Sequence, residues 1–143
     1  MAAGTLTIAD HLLLSLANFT ASLFPDTMTY IGAQQQAVDP PAVFVDYYDM
    51  KNSQRLSNTS EYSFGVEITY VPTDRTSTYE MQNAIFTILR GLTKLESDIG
   101  VFSCYDKDSD ITDDLAHVTG IVSVHEFIPD TADIIQKANQ IIN

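Results

Sequence analysis

Residues 61-EYSFGVEITYV-71 constrain the fold more than any other stretch, because Tyr62, Phe64, Val66, Ile68 and Tyr70 alternate with Ser63, Gly65, Glu67 and Thr69. Successive side chains of a strand point to opposite faces, so a period of two sets an apolar row on one face and a polar row on the other. One covered face and one wet face is the habit of antiparallel sheets. The β-rich run 43-VFVDYYD-49, joined by the polar turn region 51-KNSQRLSNTS-60, supplies the partner strand of a long hairpin, which Pro72 closes.

Helical spacing frames this hairpin. Thr7 and Asp10 form a capping-box variant ahead of a helix over 8–23, in which Ile8, Leu12, Leu16, Phe19 and Leu23 recur at intervals of three and four. Pro25 and Asp26 stop it, and a short strand follows over 28–31. Ser77 and Glu80 make a second capping box before a helix over 78–95, whose apolar face is Met81, Ile85, Ile88, Leu89, Leu92 and Leu95. A strand over 101–105, an acidic loop, a strand within 115–128 and a last helix from Thr131, capped by Asp130, complete the reading. The expected architecture is α+β: a largely antiparallel sheet of four to five strands, helices packed on one face, and a C-terminal helix. The chain reads as one domain over 1–143, with 1–128 as core and 129–143 as a helical extension that docks at home or reaches for a partner.

Charge narrows the function. The chain carries a net −12, and residues 96–143 hold ten acids against two bases. Tight duplex binding draws on Lys and Arg at phosphates, so this chain is unsuited to it. No run reaches the roughly 20 apolar residues of a membrane span. The apolar stretch 12–24 has Asp10 and His11 before it and no preceding Lys or Arg, which reads as a mature cytosolic protein rather than a leader. The sequons at Asn18 and Asn58 then carry no weight.

The stretch 105-YDKDSDITDDLAH-117 invites a calcium reading, with Asp106, Asp108, Asp110 and Asp114 at the first, third, fifth and ninth places of a loop. An EF-hand-type loop needs Gly at the sixth place and Glu at the twelfth, and here these are Ile111 and His117. A solvated strand-connecting loop fits better. Cys104 with His117 or His125 offers a route to a thiol nucleophile, weighed against an inert buried thiol. No Gly-rich phosphate loop, C-x-x-C, H-E-x-x-H or G-x-S-x-G pattern is present, so catalytic residues, metal ligands and cofactors are expected to be none.

The run 41-PAVFVDYYDMKNSQRLSNTSEYSFGVEITYVPTD-74 resembles the phage tail terminator family: a proline enters an "FV" strand, an "RL" step interrupts a polar connector, and "YSF" leads to a "Y-x-P" exit. The helix ending at Phe24-Pro25-Asp26, the helix after the exit and the late run 114-DLAHVTGIVSVHEF-127 are similar too, so the resemblance covers about 7–128. It implies a virion structural protein, not an enzyme, made in the bacterial host cytoplasm. It further implies a homo-hexameric ring that caps the tail tube, ends its polymerisation and gives the head connector a docking surface, with the sheath as a further partner in contractile tails. DNA would pass without tight binding. On this reading Asp106, Asp108, Asp110, Asp113 and Asp114 form a loop toward the lumen or a ring neighbour, while Lys51, Arg55 and Arg75 contact the next subunit. The alternative is an acidic calcium-binding or protein-interaction module.

Overall fold

The computed structural model describes residues 6–32, 38–54 and 59–127, side chains being described through His125. The elements run α1 (Ile8–Leu23), β1 (Met28–Ile31), β2 (Ala42–Gln54), β3 (Thr59–Val71), α2 (Thr78–Gly91), β4 (Lys94–Ser97), β5 (Gly100–Thr112) and β6 (Leu115–Phe127). They form a six-stranded sheet ordered β1-β2-β3-β6-β5-β4, curled into a half-barrel.

The expected sheet of four to five largely antiparallel strands is corrected by this order. The sheet is mixed, because β1 lies parallel to β2, with Met28 beside Ala42 and Ile31 beside Val45. A sixth strand, β4, replaces the last turn assigned to the second helix. Leu92 and Leu95 continue the helical spacing, yet α2 stops at Gly91, where the Leu92 N–H still donates to the Ile88 carbonyl at 2.8 Å. Leu95 then reaches the same core from a strand. Gly91 suits this end, since a Cβ there would stand 3.2 Å from the Phe19 ring of α1. The C-terminal helix from Thr131 lies outside the described residues.

Two stretches read as loops are strands. The polar residues 51–54 continue β2, and Asn52 donates from Nδ2 to Ser60 Oγ at 3.3 Å across the hairpin. Pairing, not local propensity, settles this: β3 lies between β2 and β6 along its length, with Ser60 beside both Gln54 and Glu126. Likewise β5 extends through the aspartates to Thr112.

The alternation over 62–70 is realised. Phe64, Val66, Ile68 and Tyr70 of β3 join Val43 and Val45 of β2 and Ala116, Val118 and Val122 of β6 in one core, covered by Leu12 and Leu16 of α1 and Met81, Ala84, Ile85 and Ile88 of α2. Fully burying a Leu, Ile or Val side chain contributes about 1.5–3 kcal/mol. A smaller cluster of Ala42, Phe44 and Val71, with Tyr30, Val38 and Leu115 against it, covers part of the opposite face. The rest of that face is mainly polar, with Tyr48, Tyr105 and Ile121 grouped around Gly65.

Both expected caps form, with one difference. Thr7 and Asp10 make the reciprocal pair, Asp10 N–H donating to Thr7 Oγ1 at 3.1 Å and Thr7 N–H to Asp10 Oδ2 at 2.9 Å. At α2 the Glu80 N–H donates to Ser77 Oγ at 3.1 Å, but the Glu80 carboxylate does not return to Ser77. It accepts from Thr73 N–H at 2.7 Å, Asp74 N–H at 3.2 Å and Tyr70 OH at 2.9 Å. Glu80 thereby ties the exit of β3 to the start of α2.

Candidate functional site

The helices occupy one side of the sheet, so the opposite face defines the candidate surface. Strand pairing lays its polar residues out in rows. Asp46 of β2 stands beside Glu67 of β3, Glu67 beside Thr119 of β6, and Thr119 beside Asp108 of β5. The next row runs through Thr69, His117 and Asp110. An open depression of about 400 Å³ is lined by Glu67, Asp108, Ser109, Asp110, Thr112, His117 and Thr119.

One imidazole sits among these carboxylates. His117 Nδ1 is 3.2 Å from Thr69 Oγ1 and 3.5 Å from Glu67 Oε2, an ion pair only when the ring is protonated. Farther along the face His125 Nε2 lies 3.2 Å from Glu61 Oε2. No Lys or Arg side chain makes a salt bridge to Glu67, Asp108 or Asp110 among the described residues.

The five aspartates of 105–117 therefore do not share a loop. Asp108 and Asp110 project from β5 onto the acidic face beside Thr119 and His117. Asp106, at φ 51°, sits where the β5–β6 register shifts between Tyr105 and Asp108. Asp113 and Asp114, at φ 55° and 60°, form the two-residue turn from Thr112 to Leu115. Paired left-handed residues are the mark of a type I′ turn, whose twist matches the flanking strands, and Asp is among the few non-Gly residues that accept it. Thr112 Oγ1 donates to the Asp110 carboxylate. No group of three or more His, Cys, Asp or Glu suited to a metal ion occurs among the described residues. A strand spreads alternate carboxylates along its length, where a calcium site needs a loop that folds them around one point.

The cationic candidates separate as well. Lys51 is exposed on β2, 3.7 Å from Asp49, in the row of Ser63 and Ser123. Arg75 is exposed in the β3–α2 connection, past the opposite end of the sheet, and Arg55 lies outside the described residues. The three do not form one described patch.

Cys104 is not placed for nucleophilic chemistry. It is buried in the core on the helix side beside Val122, whereas His117 and His125 belong to the other face of β6. Burial pushes its thiol up, against a smaller opposing influence of Lys107. The thiolate is the reactive form, so this thiol is inert packing.

Asp46 and Glu67, central to the acidic face, escaped the sequence reading of the site. Glu67 was legible as a polar position of the alternating strand; Asp46 needed the β2–β3 register, including the shift between Tyr47 and Asp49. At that shift Tyr48 lies against Gly65, where a Cβ would come within 2.5 Å of the ring.

Comparison with known proteins agrees with the resemblance read from the sequence. No curated protein matches the chain. Among the solved structures that match, one resembles it at a TM-score of 0.46 and 8% identity over 83% of this chain and 93% of the other, too distant to carry an argument. The family model described as phage tail terminator protein matches residues 8–134, which takes in both helices and all six strands. The chain belongs to the phage tail terminator family, whose members are structural proteins of the phage tail.

Proposed function

We propose that this protein forms a homo-hexameric ring that caps the tail tube, ends its polymerisation and offers the head connector its docking surface, with the acidic face of the sheet toward the channel. The observation that carries the reading is the asymmetry of the sheet. One face is covered by α1 and α2, while the other exposes Asp46, Glu67, Asp108 and Asp110 across neighbouring strands. A channel that passes DNA works best when it offers phosphates no cationic hold, and fixed carboxylates on its wall repel them.

In this arrangement the helices face outward, and the Asp113–Asp114 turn stands at one end of the ring. The tube protein and the connector meet opposite ends, and in a contractile tail the sheath contacts the outside. Lys51, Arg55 and Arg75 are the candidate contacts to neighbouring subunits or to these partners. The protein is made in the host cytoplasm and leaves it as part of the virion.

Electron microscopy of tails purified with and without the protein tests the cap: with it, tails end in a ring at uniform length, and without it, tubes overrun. Absence of the protein from tail ends refutes the ring. The variant Asp46→Asn/Glu67→Gln/Asp108→Asn tests the channel separately. It is expected to cap tails normally and to slow DNA release from the particle several-fold as phosphate repulsion is lost. Unchanged release kinetics removes the acidic face from the channel.

A further inference from the structure

We propose that the ring contact is made edge to edge, the free margin of β2 in one copy pairing with the free margin of β5 in the next. The inference rests on the ring reading above and names the surfaces that would build it.

Each margin of the sheet is only half covered. β1 lies beside β2 at Ala42–Val45 alone, and β4 lies beside β5 at Gly100–Ser103 alone. Residues 46–54 of β2 and 105–112 of β5 consequently have no strand on their outer side among the described residues. These open stretches are similar in length and lie on opposite margins. They also run in opposite senses, because β2–β3, β3–β6 and β6–β5 are each antiparallel. A copy moved sideways thus presents β5 antiparallel to β2, and the alternation of the sheet continues across the boundary.

The side chains on the two margins match. Met50 of β2 is 54% exposed, while Phe86 of α2 is 63% exposed and Ile111 of β5 37%. Ile85, Phe86 and Leu89 of α2 line a groove of about 500 Å³ with Ser109, Asp110 and Ile111. Met50, beside Phe64, and Ile111, beside Ala116, both belong to the helix side of the sheet. Setting Met50 against Ile111 places Lys51 against Asp110 on the acidic face. The charges are complementary: Lys51 is exposed, while the one cation of the aspartate stretch, Lys107, donates from Nζ to the Leu89 carbonyl at 3.2 Å.

This pairing also staggers the copies. Met50 shares its row with Phe64 and Val122, and Ile111 shares its row with Ala116 and Tyr70, so the incoming copy is displaced along the strands. Strands that close into a barrel must tilt and stagger in this way. Because the contact joins two different surfaces, it propagates head to tail, the type of contact that a ring requires and a twofold dimer does not use. In the single chain the margins are guarded: Tyr47 N–H donates to Asp46 Oδ1 at 2.8 Å, and Ser109 N–H to Asp108 Oδ1 at 2.8 Å. Docking in this register sets Ser109 against Asn52 and exchanges its carboxylate acceptor for a carbonyl of the neighbour, while Tyr47 lies beyond the end of the neighbour's β5.

Disulfide trapping on tail-bound protein, with Cys104→Ser as background, tests the contact. Met50→Cys and Ile111→Cys are expected to cross-link only when mixed, and the double variant to give a ladder that ends at the hexamer. Either single variant dimerising with itself, or a ring visible on tail ends with no cross-link in the double variant, overturns the edge contact while leaving the ring in place. Lys51→Asp is expected to lower ring assembly roughly tenfold or more, and adding Asp110→Lys to restore it, as charge reversal across an interface does. Loss without restoration also overturns the pairing. Tail ends that lack the wild-type protein altogether refute the ring itself.

Discussion

At the scale of single residues, tight packing accounts for features that charge and spacing do not. Gly120 faces the core row of β6, and a Cβ there would come within 2.5 Å of Cys104 Sγ. Gly120→Ala is expected to destabilise the protein by about 1–3 kcal/mol through overpacking. In a Cys104→Ala background the same change is expected to cost less than about 1 kcal/mol, because the space has been vacated. Urea denaturation of the four proteins of this cycle reads the coupling; equal costs in both backgrounds contradict the contact. The lone cysteine thus serves packing, and the approach of His117 or His125 across the hairpin fails on the parity of the strands. A one-residue change of parity moves a side chain to the other face.

At the scale of elements, helix starts were legible and strand lengths were not. Thr7 and Ser77 announce α1 and α2 because capping is local, written within four residues. Glu80 exceeds its predicted local part, joining Tyr70, Thr73 and Asp74. Burial opposes ionisation of this carboxyl, but the hydrogen bonds from Thr73, Asp74 and Tyr70 outweigh it and hold its pKa below the usual value of 4.5. Burial and the same carboxylate push the Tyr70 hydroxyl up to about 12. A carboxyl whose pKa is lower in the folded state adds stability above its unfolded pKa and loses it as pH falls through the folded one. Unfolding midpoints are therefore expected to drop below about pH 4.5, with Glu80→Gln flattening the decline and costing about 1–3 kcal/mol at pH 7. A variant as stable at pH 7 as the parent contradicts the clamp. The polar halves of β2 and β5 were hidden for the opposite reason: Asn, Ser, Lys and Asp are poor strand formers alone, and only partners on β3 and β6 make them strands.

At the scale of the whole molecule, the chain concentrates like charge on one sheet face and hydrophobic burial on the other. The net charge of −12 includes carboxylates on neighbouring strands, whose repulsion salt screens over about 10 Å at 0.1 M. Raising NaCl from about 10 mM to about 200 mM is expected to lift the melting temperature by a few degrees, and EDTA to leave it unchanged. A large EDTA-dependent drop would restore the calcium reading. Among the described residues no helix is long and apolar enough to cross a membrane.

The sequence by itself determined the family, the alternating strand at the centre of the sheet, both helix starts and the acidity of the chain. The family was legible through the resemblance of the 41–74 run and its surroundings; the other three are local or compositional properties, set by spacing, capping and charge within a short stretch. The tertiary structure alone decided that β1 runs parallel to β2, that Leu95 enters the core from a strand, and that Asp108 and Asp110 share a face with Glu67 and His117. Each depends on pairing between residues far apart in the chain, where register settles which side of a sheet a residue occupies. The aspartates of 105–117, which read as a loop, became one wall of an acidic surface because a strand separates what a loop would gather.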